Sequence, residues 1–131
     1  MMQFQEHGQF KLTIEDRIVV VDAEGPFDVL LFKRYDHEMH QAIEHFNNQR
    51  WANIAVLHGL TIFIPDVFTL LNEHLNWRIQ NNFVAEALVL VEPEGANILE
   101  SQLHEVYHRL KIDFQYFDSV PAAREWATSK F

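Results

Sequence analysis

The chain predicts an α/β fold: a five-stranded, mostly parallel sheet with four helices, in the order β-β-α-β-α-β-α-β-α. Three observations predict it. Strand-like and helical patterns alternate along the 131 residues. Two strand candidates, Ile54 to Leu57 and Leu88 to Val91, are short continuous apolar runs, as expected of strands covered on both faces. The segments between successive runs are long enough for the crossover helices that parallel neighbours require. No internal repeat, low-complexity tract or Ser/Gly-rich linker divides the sequence, so residues 1–131 are expected to form a single domain, with about the first nine residues flexible.

Each element has its own signal. Phe10 to Ile14 and Ile18 to Ala23 flank the turn-like Glu15-Asp16-Arg17 and suggest a hairpin entering the sheet, and Gly25-Pro26 then stops the second strand. Leu31, Tyr35, Met39, Ala42, Ile43 and Phe46 recur at helical spacing, predicting a first helix from about Phe27 to Asn47 with a charged opposite face. A second helix starts near Pro65, between the two apolar runs. Gly95 to Leu110 carries the third, with Ile98, Leu99, Leu103, Val106, Tyr107 and Leu110 on one side. The segment KIDFQYF, Lys111 to Phe117, is an aromatic strand, and FDSVPAAREWA from Phe117 to Ala127 turns it directly into a short helix. There Asp118 or Ser119 can accept hydrogen bonds from the free N–H groups, Pro121 fits the first turn, and Ala122, Ala123 and Trp126 form the packing stripe.

Composition narrows the function. With 48% hydrophobic residues and no cysteine, the chain can bury a core without covalent help, and neither a disulfide framework nor a cysteine-zinc site is available to it. The N-terminal MMQFQEHGQFKL lacks an apolar run suited to a signal peptide, and no segment approaches the ~20 apolar residues of a membrane-spanning helix, so cytoplasm is the expected compartment. A formal charge of −9 repels phosphate backbones and anionic lipid surfaces, which argues against nucleic acid as a partner. Eight histidines would relax that repulsion towards membranes once protonated.

The closing strand and capped helix, Lys111 to Ala127, together with the element order from Phe10 onward, resemble the SpoIIAA-like branch of the STAS superfamily (sulphate transporter and anti-sigma factor antagonist). The resemblance implies that fold and a non-enzymatic role. CRAL-TRIO lipid-binding domains are similar in architecture, which implies a ligand cavity between helices and sheet. In STAS antagonists a strand leads through an Asp-Ser pair into the next helix, and the serine is a phosphorylation switch. The corresponding segment here is IFIPDVF, Ile62 to Phe68, where Pro65 and Asp66 stand in place of that pair and leave no phosphoacceptor. Asp66 reads as a first-turn residue favourable to the helix dipole. The resemblance makes Pro65, Asp66 and Phe68 the candidate surface for a protein partner.

Two histidine patterns invite a metal reading. HEVYH, His104 to His108, matches the motif in which two histidines one turn apart bind zinc beside a glutamate base. At 100° per residue, however, both histidines fall roughly 140° from the centre of the apolar stripe, towards water. A zinc hydrolase therefore ranks third among the functional readings, and no metal or cofactor is expected. His37, His40 and Glu44 share a face of the first helix with Lys33, and read as its solvated side.

The second helix is the most suggestive element. Phe68, Leu71, Leu75 and Ile79 form one stripe, with Val67, Leu70 and Trp77 adjoining, an apolar arc wider than one sheet face can cover. His74 and Arg78 fall inside it. A guanidinium among Leu75, Ile79 and Trp77 needs an anionic partner, either a core carboxylate or the head group of an anionic amphiphile such as a fatty acid or phospholipid. The expectation is a binding domain for a small apolar or lipid-like ligand. Its cavity lies between the second and third helices, lined by Phe68, Leu71, Leu75 and Trp77, with Arg78 and His74 at the polar end. Opening that cavity would permit transient, peripheral membrane contact. The alternative is a STAS-type protein-interaction module.

Overall fold

The computed structural model describes residues 8–131. The elements follow the predicted order: β1 (Gln9–Glu15), β2 (Ile18–Glu24), α1 (Val29–Ile43) with a 3-10 turn (Glu44–Phe46), β3 (Trp51–Leu60), α2 (Pro65–Gln80), β4 (Phe83–Glu94), α3 (Ala96–Arg109), β5 (Phe114–Phe117) and α4 (Val120–Thr128). The flexible start lies for residues 1–7 outside the described residues, whereas Gln9 already pairs with Glu24. Asp16, in the left-handed conformation at φ 56°, and Arg17 form the tight hairpin loop between β1 and β2. The first helix is shorter than expected. Asp28 caps it, its Oδ1 accepting from the Leu31 N–H at 2.8 Å, and the last predicted turn tightens to 3-10. Only Phe114–Phe117 of the KIDFQYF segment is strand, because Lys111 sits at φ 58° and closes the end of α3.

Spatial order equals sequence order, β1-β2-β3-β4-β5, with β1 antiparallel to β2 and the other neighbours parallel. Every crossover therefore steps one strand in the same direction, and a common right-handed sense puts α1, α2 and α3 on one face of the sheet. Side-chain parity follows. On that face Val21, Ala55, Leu57 and Leu88 pack beneath Phe32 of α1, Leu71 and Leu75 of α2, and Leu103 and Val106 of α3. The opposite face carries Ala52, Ile54, Ala85 and Ala87, whose small side chains admit α4 through Ala123 and Ala127.

The α4 contact corrects the expected stripe. Ser119 is the cap, accepting from the Ala122 N–H, but Ala122 is exposed and Trp126 only partly buried. Trp126 rests on Phe117 with ring centroids 5.5 Å apart, so the helix docks through its alanines rather than its tryptophan. In α2 and α3 the apolar arcs are likewise trimmed, since Ile79 is 41% and Ile98 55% exposed. No helix among the described residues is long and apolar enough to cross a membrane.

Candidate functional site

The face that α2 turns to the sheet is Val67, Leu71, His74, Leu75 and Arg78, so two polar residues are carried into the core with three apolar ones. Opposite them stand Asn53 of β3 and Glu86 of β4, paired across the parallel ladder. Glu86 has the parity of Leu88 and Leu90, which directs it to the three-helix side. All four polar side chains are almost completely buried.

They form one connected network. Arg78 Nη1 donates to Glu86 Oε2 at 2.8 Å, Arg78 Nε donates to His74 Nε2 at 2.8 Å, and Nη2 donates to the Tyr35 hydroxyl. Asn53 Nδ2 donates to Glu86 Oε1 at 2.6 Å, and the buried Tyr107 lies close to the same carboxylate. Both Glu86 oxygens thus accept from donors, which fits the carboxylate form; burial raises its pKa and the Arg78 charge opposes that rise. Because His74 Nε2 accepts from a guanidinium, the ring proton must sit on Nδ1, and that proton goes to Asp36 Oδ1 at 2.7 Å. Burial, aided by the neighbouring Arg78 charge, pushes His74 down to about 3 against the pull of Asp36, so the ring is neutral near pH 7. The His74 bond holds Asp36 below the usual carboxylate range. Burial raises the Tyr35 and Tyr107 hydroxyls, which stay protonated. The Arg78 guanidinium also lies over the Phe83 ring, 5.0 Å from its centroid.

The expected anionic partner of Arg78 is therefore Glu86, a core carboxylate. Arg78 does not stand at a mouth with a free charge; each of its nitrogens is already engaged inside the protein.

Next to this network is a cavity of about 70 Å³ between the sheet and the layer of α1, α2 and α3. Tyr35, Asn53, Arg78, Glu86 and Tyr107 form its polar end, and the remaining lining is apolar. Ala55, in the middle of the central strand β3 and beneath the helices, keeps 8% exposure facing this void. Phe10, Phe27 and Tyr35 are the part-exposed lining residues, so the cavity meets solvent between β1, the β2–α1 loop and α1. Phe27 stacks on Phe63 at 5.8 Å and Phe10 meets Tyr35 edge-on at 5.5 Å, forming an aromatic cover.

Sequence reasoning places Leu71, Leu75 and Arg78 on the cavity, and the structure brings all three there. It does not bring Phe68, Trp77 or His74, and the cavity lies under three helices rather than between the second and third. Trp77 points instead to α1, where His40 stacks on it at 3.7 Å and also approaches Asp36, while His74 acts behind Arg78. Lys33, His37, His40 and Glu44 are all exposed, as expected of a solvated side, and of these His40 also reaches the α1–α2 contact through Trp77. Asn53, Glu86, Tyr35 and Tyr107 escape sequence reasoning. The available signal was Glu86 itself, a lone acid within the strand-like VAEALVLV eight residues after Arg78.

His104 and His108 are exposed on α3, against the rim of Phe114, and among the described residues no three His, Asp or Glu side chains are grouped to hold a metal ion. Pro65 and Asp66 are exposed at the start of α2 and Phe68 is partly buried. Ile64, which precedes them, is 49% exposed. Leu30, Leu60 and Ile98, also exposed, belong to the start of α1, the end of β3 and the start of α3, which parallel topology places at the same end of the domain. No protein-family model matches the chain, and no curated protein matches it.

Proposed function

We propose that this domain is a non-enzymatic binding protein for a small apolar or lipid-like ligand, housed between the sheet and the three-helix layer in the manner of the SpoIIAA-like and CRAL-TRIO proteins it resembles. The cavity carries this reading. An interior normally closes on itself, yet here the core retains about 70 Å³ bounded by apolar side chains and one polar end. That volume holds only a few small groups, so an acyl chain enters only if α1 and the aromatic cover of Phe10 and Phe27 move outward. Such movement would bare apolar surface and permit transient membrane contact, favoured at low pH by histidine protonation.

Native mass spectrometry of protein purified without detergent tests the reading. A co-purified apolar mass is expected in the wild type and its loss in Ala55→Leu, which fills the cavity with three carbons. If no such mass appears, and small apolar probes at saturation leave the melting temperature unchanged, the void is a packing defect and the reading falls.

A second reading rests on the exposed Ile64, Leu60, Leu30 and Ile98 beside Pro65 and Asp66. An apolar cluster at one end of a small domain suits a protein partner, as in a STAS-type interaction module without a phosphoacceptor. A stable protein complex abolished by Ile64→Glu, with cavity ligands irrelevant to its formation, would favour it.

A further inference from the structure

We infer that the ligand of this cavity is uncharged and carries a hydrogen-bond donor, a hydroxyl in the simplest case, which Asn53 Oδ1 accepts. This rests on the cavity being a binding site. Among the described residues three buried side-chain polar atoms lack a partner: Asn53 Oδ1, Thr61 Oγ1 and Tyr116 OH. Of these, Asn53 alone belongs to a residue lining the cavity. Its amide orientation is fixed by chemistry, because Glu86 Oε1 at 2.6 Å can only accept and so must face the nitrogen. The oxygen is then an acceptor without a donor, in a residue with no exposure. A buried acceptor of this kind gains from any donor brought to it.

The charge balance excludes the head groups that lipid binders commonly take. Arg78 is neutralised by Glu86 at 2.8 Å, and Nε, Nη1 and Nη2 already donate to His74, Glu86 and Tyr35. A carboxylate or phosphate entering here would be repelled by Glu86 and would find no lining cation without a counter-charge, since Arg78 is already paired. A cationic head would stand beside Arg78 in the same low-dielectric space. An uncharged head without a donor, such as an ether or ester, would leave Asn53 Oδ1 as it is. A neutral donor satisfies Asn53 Oδ1 without bringing an unpaired charge into the core, its apolar body lying along Leu71, Leu75, Leu88 and Leu103.

The test is an NMR titration of wild-type protein with three probes of nearly equal size: 1-hexanol, its isomer methyl pentyl ether, and hexanoate. Hexanol should bind about fivefold to tenfold more tightly than the ether, the worth of one net hydrogen bond. Hexanoate should bind more weakly than hexanol at neutral pH. Contacts from the carbinol protons to the methyls of Leu88 and Leu103 would place the probe without any variant, and Ala55→Leu should abolish binding of hexanol and ether together. Equal affinity for hexanol and ether overturns the donor inference while leaving the cavity reading intact. Hexanoate binding tightest overturns it in favour of an anionic head group at Arg78. Binding of none of the three overturns both.

Discussion

Removing Arg78 and Glu86 separately and together measures what holds the core of the candidate site. In Arg78→Met the Glu86 carboxylate keeps Asn53 as a donor but loses its counter-charge, while His74 Nε2 and the Tyr35 hydroxyl lose their donor. An uncompensated buried charge costs about 3–5 kcal/mol, and each stranded polar atom about 1–3 kcal/mol more unless it finds a new partner. Glu86→Leu strands the guanidinium instead, for a similar ~3–5 kcal/mol. The double variant leaves no buried charge, so its loss should be smaller than that of either single variant, and the coupling should be at least about 3 kcal/mol. Urea titration followed by circular dichroism near pH 7 gives all four stabilities. A domain of this size has only about 5–15 kcal/mol to lose, so a single variant without a cooperative transition beside a double variant that regains one is an equally clear result. Losses that add to within about 0.5 kcal/mol would refute the pairing, and a loss under about 1 kcal/mol for Arg78→Met would mean that the guanidinium reaches water.

Other expectations follow from the same geometry. Since His74 is held at about 3 against an ordinary 6.5, the unfolded chain takes up a proton below pH 6.5 that the folded chain refuses; stability present above pH 6.5 is lost as pH falls towards 3. Between about pH 6 and pH 4.5 the wild type should lose stability faster than His74→Gln by about 1.4 kcal/mol per pH unit, and parallel curves from urea titrations would show that His74 titrates normally. Because α4 docks through Ala123, Ala123→Leu should cost about 1–3 kcal/mol by overpacking, and more than Trp126→Ala, whose ring is only part-buried; the reverse order in thermal melts would return the docking role to the tryptophan. His104→Ala should change stability by less than about 0.5 kcal/mol, and zinc titration by calorimetry should give no saturable heat; a stoichiometric site lost in that variant would promote the hydrolase reading.

The fold was legible because its signals are local. Continuous apolar runs at Ile54–Leu57 and Leu88–Val91, the Asp16-Arg17 hairpin and the Ser119-Pro121 helix start each determine an element within a few residues of chain, and right-handed crossovers then leave little choice of arrangement. Helical periodicity was less sufficient. It gives the apolar arc of α2 correctly as a set of angles, but only packing decides which part of the arc meets the sheet, so Ile79 is exposed and Trp77 serves the contact with α1. The site lies on a further level. Arg78 looks like a defect in an apolar helix face and Glu86 like a defect in an apolar strand, and neither explains itself within its own element. They become one feature once parity turns Glu86 to the three-helix side and the rotation of α2 turns Arg78 to meet it. The physical rule that a buried charge needs a partner is enough to predict that some carboxylate must exist, and in a strand of VAEALVLV pattern the lone glutamate is the natural candidate. That pairing also removes the reason to expect an anionic ligand, because Arg78 cannot both neutralise Glu86 and remain free for a head group. The unpartnered oxygen of Asn53 had no such sequence signal: it follows from the amide being fixed by Glu86, a contact across the ladder between two separate strands.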